Sequence, residues 1–269
     1  MVKENDLMDH TPEPRTRLSL AADLRQLGLE PGAVVIVHSS LSSLGWVCGG
    51  SEAVVLALMD VLTESGTLVM PTHSADYSDP GKWENPPVPE SWLEAIHENM
   101  PAFDPRTVPT RGMGRIPETL RSWPEALRSS HPAFSFAAWG RHASFVTGDH
   151  SLDYSLGEGS PLARIYELDG QILLLGVGYE SNTSFHLAEY RAPAVRKSED
   201  GAPIVESGQR VWKTYTDIEL NEEVFGQISA DFEKGVGVRS FGVGSAQAKH
   251  FSQRRAVDFA REWLAQRRG

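Results

Sequence analysis

His186 and Glu189 stand three residues apart, which puts an imidazole and a carboxylate on neighbouring positions of one helix face. An imidazole oriented and made more basic by a carboxylate is a general base, the group that takes a proton from a nucleophile before attack. Thr183 lies one turn earlier and either shares that network or caps the helix. A partly buried ion pair would use the same spacing, so spacing alone leaves the two readings level.

The elements around the pair suit a base. Ile172-Leu173-Leu174-Leu175 is a short apolar run bounded by glycines, the pattern of a buried strand. Gly176 and Gly178 permit a sharp turn, and Asn182-Thr183-Ser184 supplies side chains suited to a helix start. Upstream, Leu18, Leu20, Ala21, Leu24 and Leu27 recur at helical spacing and stop at Gly28. Ala33-Val34-Val35-Ile36-Val37 then predicts a buried parallel strand. A loop rich in serine and glycine follows from His38 to Gly50, then a helix opened by Ser51 and Glu52, then the strand Thr67-Leu68-Val69-Met70. This is a βαβ unit, whose ligands bind beyond the carboxyl ends of the strands. The 38–50 loop is thus a candidate phosphate cradle or a plain connector. It lacks the Gly-Lys-Ser/Thr ending and the Gly-x-Gly-x-x-Gly spacing of the common nucleotide loops.

Residues 71–112 hold eight of the 17 prolines and two tryptophans. So long a stretch with little periodicity predicts a lid or binding loop, or an acidic surface loop. Asp76, Tyr77, Asp79, Trp83, Glu84, Glu90 and Glu94 make it acidic and aromatic. Thr110-Arg111-Gly112-Met113-Gly114 opens a helix reaching Arg121, with Arg111 either a phosphate contact or an exposed cap. His131 to Trp139 reads as a strand after a turn, Asp153-Tyr154 lies in a loop, and Ser160-Pro161 starts a helix to Leu168. Beyond Arg191, short antiparallel strands at 194–196, 203–205 and 209–216 are expected, joined by turns at Asp200-Gly201 and Ser207-Gly208. A helix near Asn221 to Phe232, a glycine-interrupted strand pair from Val236 to Val243 and a helix from Ser245 to Gln266 close the chain. The expected organisation is a flexible or loosely docked arm over 1–16 and a single domain over 17–269.

Composition narrows the partners. A net charge of −11, from 25 basic and 36 acidic residues, disfavours nucleic acid and suits a cationic ligand or simple solubility. No apolar run approaches the roughly 18 residues of a membrane helix, and the N-terminus lacks the apolar core of a signal peptide, so a cytoplasmic protein is expected. Cys48 is the single cysteine, which excludes an intrachain disulfide, and a lone cysteine is more often inert than acyl-accepting. His38, His73, His131 and His186 all fall near strand ends or helix starts, but no His-x-x-x-His or His-Glu-x-x-His spacing occurs and no metal is expected. The Gly-x-Ser-x-Gly elbow of serine hydrolases is absent as well.

Five segments in order resemble the antibiotic N-acetyltransferase family, typified by aminoglycoside 3-N-acetyltransferases. They are Val37-His38-Ser39-Ser40-Leu41-Ser42 with Gly45 and Gly49-Gly50; Pro109-Thr110-Arg111-Gly112-Met113-Gly114; Arg128-Ser129-Ser130-His131-Pro132; Gly159-Ser160-Pro161-Leu162; and Leu175-Gly176-Val177-Gly178 through Asn182-Thr183-Ser184-Phe185-His186-Leu187-Ala188-Glu189. The resemblance implies an α/β fold with a mixed central sheet, helices on both faces and a C-terminal antiparallel excursion. It implies acetyl-coenzyme A as cosubstrate, held by His38, Ser39, Ser40, Leu41, Ser42, Gly45, Trp46 and Val47 together with Thr110, Arg111, Gly112 and Met113. It implies an acceptor pocket shaped by the 72–109 loop, including Asp76 and Tyr77, with Asp153 and Tyr154. His186 with Glu189 would be the base, with Thr183 nearby, acetylating the 3-amino group of an aminoglycoside and so conferring antibiotic resistance. A different amine acceptor, or an idle coenzyme A-binding or sugar-binding protein, is the alternative.

Overall fold

Val34 to Val37 are buried on both sides, and their alternation assigns each side to a different helix layer. Val35 and Val37 pack in one apolar cluster, Val34 and Ile36 in another. A strand covered on both faces must be apolar at every position, which is why the run does not alternate in polarity. The computed structural model describes residues 4–235 and 237–268.

In chain order the first elements are α1 (Glu4–Asp9), α2 (Arg17–Leu27), β1 (Val34–Ser39), α3 (Gly50–Leu62) and β2 (Thr67–Pro71). Then come α4 (Leu93–Asn99), α5 (Arg115–Arg121), β3 (Leu127–Arg128), β4 (Phe136–Gly140), α6 (Ala143–Thr147), α7 (Pro161–Glu167), β5 (Gln171–Leu175) and α8 (Ser184–Arg191). The chain continues through β6 (Lys197–Glu206), β7 (Gln209–Ile218), α9 (Phe225–Gly235), β8 (Arg239–Val243), β9 (Ala246–Ser252) and α10 (Gln253–Arg268).

Seven strands form one sheet in the order β3-β4-β2-β1-β5-β9-β8. β1 runs parallel to β2 and β5, with Ile36 opposite Val69 and Ile172, while β4 and β9 add on antiparallel. Helices α2, α3 and α5 cover one face, and α6 to α10 cover the other. The fold is the expected mixed sheet between two helical layers. β6 and β7 form a separate two-stranded hairpin, with Ser207 and Gly208 at positive φ in its two-residue turn.

Several boundaries differ from expectation. Asp200-Gly201 is no turn: both residues pair within β6, opposite Tyr215 and Thr214, and the Asp200 carboxylate accepts the Asp79 and Gly201 amides. Residues 246–252 are a strand rather than the start of the last helix. Ala, Gln and Lys favour helix weakly, and pairing with both β5 and β8 overrides that preference. The pair expected from Val236 contains one strand, β8, and Val236 itself lies outside the described residues. Residues 4–16, the described part of the expected flexible or loosely docked arm, carry α1 and are tied to the 45–48 loop. The Arg15 amide donates to the Trp46 carbonyl at 2.9 Å, the Cys48 amide to the Arg15 carbonyl at 2.8 Å, and the Trp46 indole to Glu4 at 3.2 Å. Residues 1–3 of the expected arm are outside the described residues.

The 72–109 stretch is fastened to the hairpin and the sheet. The Phe103 amide donates to the Pro203 carbonyl, and the Arg210 guanidinium bonds the carbonyls of His97 and Met100. Arg128, on edge strand β3, donates to the carbonyls of Thr72, Pro105 and Val108 and to the Ser74 and Ser135 hydroxyls, gathering both ends of the stretch.

Candidate active site

Three parallel strands deliver the chain to one edge of the sheet: β1 at His38 and Ser39, β2 at Pro71, and β5 at Leu175. Gly176 turns sharply there at positive φ, where a side chain would collide with Ser43. The following 3-10 turn leads into α8. Asn182, not Thr183, caps this helix, its side chain accepting the Ser184 amide at 3.3 Å. Thr183 makes no capping bond and lines a cavity beside His186.

That cavity, about 360 Å³, is bordered by His38, Ser39, His73, Phe134, Glu180, Thr183, His186 and Glu222. His186 is buried, and its Nδ1 lies 2.7 Å from a Glu189 carboxylate oxygen. Glu189 is fully buried, and its second oxygen accepts the Asn221 amide at 3.0 Å and the Arg268 guanidinium at 3.3 Å. Bonds at both oxygens fix the carboxylate and so fix the ring it holds. With Nδ1 engaged, Nε2 of His186 faces the cavity, 3.4 Å from the Glu222 carboxylate. Burial would lower the pKa of His186, but the bonds to Glu189 and Glu222 and their charges leave it raised above the ordinary imidazole value. The hydrogen bond to His186 in turn holds the Glu222 carboxyl below its ordinary range.

His38 and His73 line the same cavity with no carboxylate beside them. Burial, with the charge of His186 added, pushes both down to about 3, so both are neutral. One cavity therefore holds one imidazole made more basic than usual and two made much less basic.

The cavity opens two ways. Through Ser39, Gly112 and Met113 it meets a cleft of about 860 Å³ lined by Ser40, Leu41, Ser42, Gly45, Trp46 and Val47, the start of α5 at Arg115 and Ile116, and Glu4 and Leu7 of α1. Through Glu222 it meets a basin of about 870 Å³ lined by Arg196, Glu219, Asn221, Glu223 and Arg268. A base at the waist between a long cleft and an acidic basin can take a proton from an amine on one side as that amine attacks a group presented from the other.

The residues singled out from the sequence divide accordingly. His186, Glu189, Thr183, His38 and Ser39 come together, and Ser40, Leu41, Ser42, Gly45, Trp46, Val47, Gly112 and Met113 line the cleft. Thr110 lines an adjoining pocket of about 580 Å³ that shares Gly112, Gly114 and Arg115 with the cleft, and its amide donates to Glu118; the Arg111 guanidinium lies 3.4 Å from Asp76. The guanidinium on the cleft belongs to Arg115 instead. Asp76 is taken up by Arg111, Tyr77 packs edge-on to Phe103 at 5.6 Å, and neither lines the cavity. Asp153 and Tyr154 brace the hairpin, accepting the Thr216 amide and donating to its carbonyl, each at 2.8 Å. Glu222 and its neighbours Glu219 and Glu223 were missed. In the sequence they look like acidic residues favouring a helix N-terminus, and nothing local says that they face His186. Cys48 is exposed and lines neither the cavity nor the cleft.

Residues 36–265 match the family model of aminoglycoside 3-N-acetyltransferases, and the chain belongs to that family, whose members are acetyl-coenzyme A-dependent. It is 49% identical over 259 residues to the SPbeta prophage-derived aminoglycoside N(3')-acetyltransferase-like protein YokD of Bacillus subtilis, covering 96% of this chain and 95% of that one. The YokD crystal structure superposes with a TM-score of 0.96 at 48% identity, covering 97% of each chain. AAC-IIIb, solved as a binary complex with CoASH, superposes at a TM-score of 0.85 and 32% identity, covering 95% of this chain and 98% of that one. AAC-VIa bound to sisomicin gives 0.86 at 30% identity, with 95% and 99% covered.

Proposed function

We propose that this enzyme transfers the acetyl group of acetyl-coenzyme A directly to the 3-amino group of an aminoglycoside, with His186 as general base. The observation that carries the reading is the placement of His186 Nε2 at the waist between the cleft and the acidic basin, its Nδ1 held by the buried carboxylate of Glu189. The cleft suits the cosubstrate: it is long enough for an extended chain, is walled by the serine-rich 39–47 loop, and carries Arg115 for a phosphate. That AAC-IIIb binds CoASH in the same fold supports this use.

An acceptor amine reaches neutral solution mostly as an ammonium, which has no lone pair for attack. Glu219, Glu222 and Glu223 offer that cation three carboxylates in a basin that Arg196 and Arg268 also line, and sisomicin, the ligand of the related AAC-VIa, is an amine of this kind. With the ring neutral and Nε2 unprotonated, the ammonium lies between the Glu222 carboxylate and that nitrogen and gives up a proton to it. The freed amine attacks the thioester carbonyl, the tetrahedral intermediate collapses, the proton on His186 passes to the departing sulfur, and the freed ring takes the second proton from nitrogen and releases it to solvent. No acyl-enzyme is needed, in keeping with the exposed position of Cys48. Acetylation removes a positive charge from the antibiotic, and resistance of the host is the expected consequence.

The test is release of free thiol from acetyl-coenzyme A against a panel of aminoglycosides and simple polyamines, with the product mapped by NMR. Acetylation at the 3-amino group of an aminoglycoside is the expected result. Turnover confined to other amines would move the reading to another acceptor, and no turnover with any amine would refute it.

A further inference from the structure

Attack on the thioester drives negative charge onto the acyl oxygen, and few groups at the waist are free to meet it. The amides opening α8 are already used: Thr183 donates to the Ser181 carbonyl, Ser184 to the Asn182 side chain, Phe185 to the Asn182 carbonyl and His186 to the Thr183 carbonyl. The Ser40 amide donates to the Leu175 carbonyl, and its hydroxyl is bonded to those of Ser42 and Ser43. The helix-start donors that a strand–turn–helix arrangement offers are thus spent.

Two imidazoles are not, and neither is the Ser39 hydroxyl, which is likewise enclosed without a partner among the described residues. His38, at the end of β1, is 6% exposed, and its Nε2 is enclosed with no hydrogen-bond partner. His73, two residues beyond β2, also has an enclosed Nε2 without a partner. Its ring is held edge-on to Phe134 and Phe136, at 5.3 Å from each. Both histidines border the cavity of His186, which is continuous with the coenzyme cleft through Ser39, Gly112 and Met113. Enclosed polar nitrogens without partners are costly and uncommon in folded proteins, and they concentrate where a ligand supplies the missing bond.

We propose that the Nε2–H groups of His38 and His73 together hold the thioester carbonyl oxygen and stabilise the oxyanion formed during acyl transfer. The proposal rests on the acetyl-transfer reading above and assigns that reaction its electrophilic half. Environments that push titratable neighbours apart separate their roles. His186, flanked by carboxylates, takes protons, whereas His38 and His73, flanked by apolar groups, stay neutral and donate hydrogen bonds without competing for the amine proton. In the step itself the amine lone pair forms the N–C bond as the carbonyl π pair moves onto oxygen, where both N–H groups bond to it and neither proton transfers. The oxygen pair then reforms the carbonyl, the C–S bond breaks, sulfur takes the proton carried by His186, and the freed His186 takes the second proton from the nitrogen and passes it to solvent. Amide and free thiol are the products.

The test uses the full-length enzyme and a coenzyme A analogue with methylene in place of the thioester sulfur and 13C at the carbonyl. Binding to the wild type should move the carbonyl resonance downfield, as hydrogen bonds polarise it. The shift should shrink in His38→Leu and in His73→Leu and partly return in His38→Gln and His73→Gln, whose amides still donate. Each leucine variant should lose about 100-fold in kcat, the scale for one oxyanion donor, with coenzyme A affinity held within about twofold. No downfield shift in the wild type overturns the proposal without recourse to any variant. A shift abolished by Ser39→Ala but kept in both histidine variants overturns it too, giving the role to that hydroxyl. If no amine accepts acetyl, the transfer reading fails, while the carbonyl shift still decides the donor pair.

Discussion

His186 combines opposed influences within a few ångströms. Burial favours its neutral form, and two carboxylates more than reverse that. In the proposed reaction the neutral ring is the base, so kcat/KM for the acceptor should rise with pH through a value above the ordinary imidazole pKa of about 6.5. Glu222→Gln removes one of the two carboxylates that raise the pKa, so the rising limb should move to lower pH. A pH–rate profile with an unmoved or alkaline-shifted limb would show that Glu222 does not govern the base. His186→Ala should cost on the order of 100-fold or more in kcat while coenzyme A affinity, read by calorimetry, changes little. Near-normal turnover would remove His186 from the chemistry. The His186–Glu189 pair was legible in the sequence because its geometry is one helical turn. Glu222 was not, since it reaches His186 from the connection between β7 and α9.

At the scale of elements, Arg128 matters most among the residues outside the site. Its five hydrogen bonds go to groups of the 72–109 stretch and to Ser135, with Phe103 stacked under the guanidinium at 5.1 Å. Burial depresses this guanidinium to about 10, a cost that the carbonyls it gathers offset. Arg128→Met should therefore destabilise the fold by about 3 kcal/mol in urea titration, since it strands several carbonyls at once. Limited proteolysis of the same variant should cut first within 72–109, and unchanged stability and cleavage would refute the clasp. The resemblance pointed to Arg128-Ser129-Ser130-His131-Pro132 as a marker without saying what it does. The contacts show a fastener. Asp200-Gly201 shows the converse: a local turn signal lost to a hairpin of two ten-residue strands that also supports the loop. Ala246 to Ser252 likewise became a strand because β5 offered it an edge.

Over the whole molecule, histidine burial sets the response to acid. His38, His73, His131 and His150 are held near about 3 and His250 near about 4, in each case chiefly by burial. Their unfolded values lie at about 6.5, so as pH falls below that point the unfolded chain takes up protons that the folded chain refuses. Stability from these groups is present above the unfolded pKa and is lost as pH falls toward the folded values. His186, with its raised pKa, has the opposite sign: its contribution is present at low pH and fades as pH rises through its folded pKa. Five groups outweigh one, so the urea midpoint should fall steadily from about pH 6.5 to pH 4.5, and a midpoint flat over that range would contradict the neutral cluster. What the sequence determined by itself were features written in near neighbours: the buried strands and the βαβ unit from their apolar runs, the Ser207-Gly208 hairpin turn, and the one-turn spacing of His186 and Glu189. What only the tertiary structure decided was which distant side chains share a space. Four histidines that look alike in the sequence became one ring between two carboxylates, two rings with an enclosed Nε2 and, in His131, a core group bonded to the Leu152 carbonyl, because the pKa of an imidazole follows the charges and burial that packing brings to it.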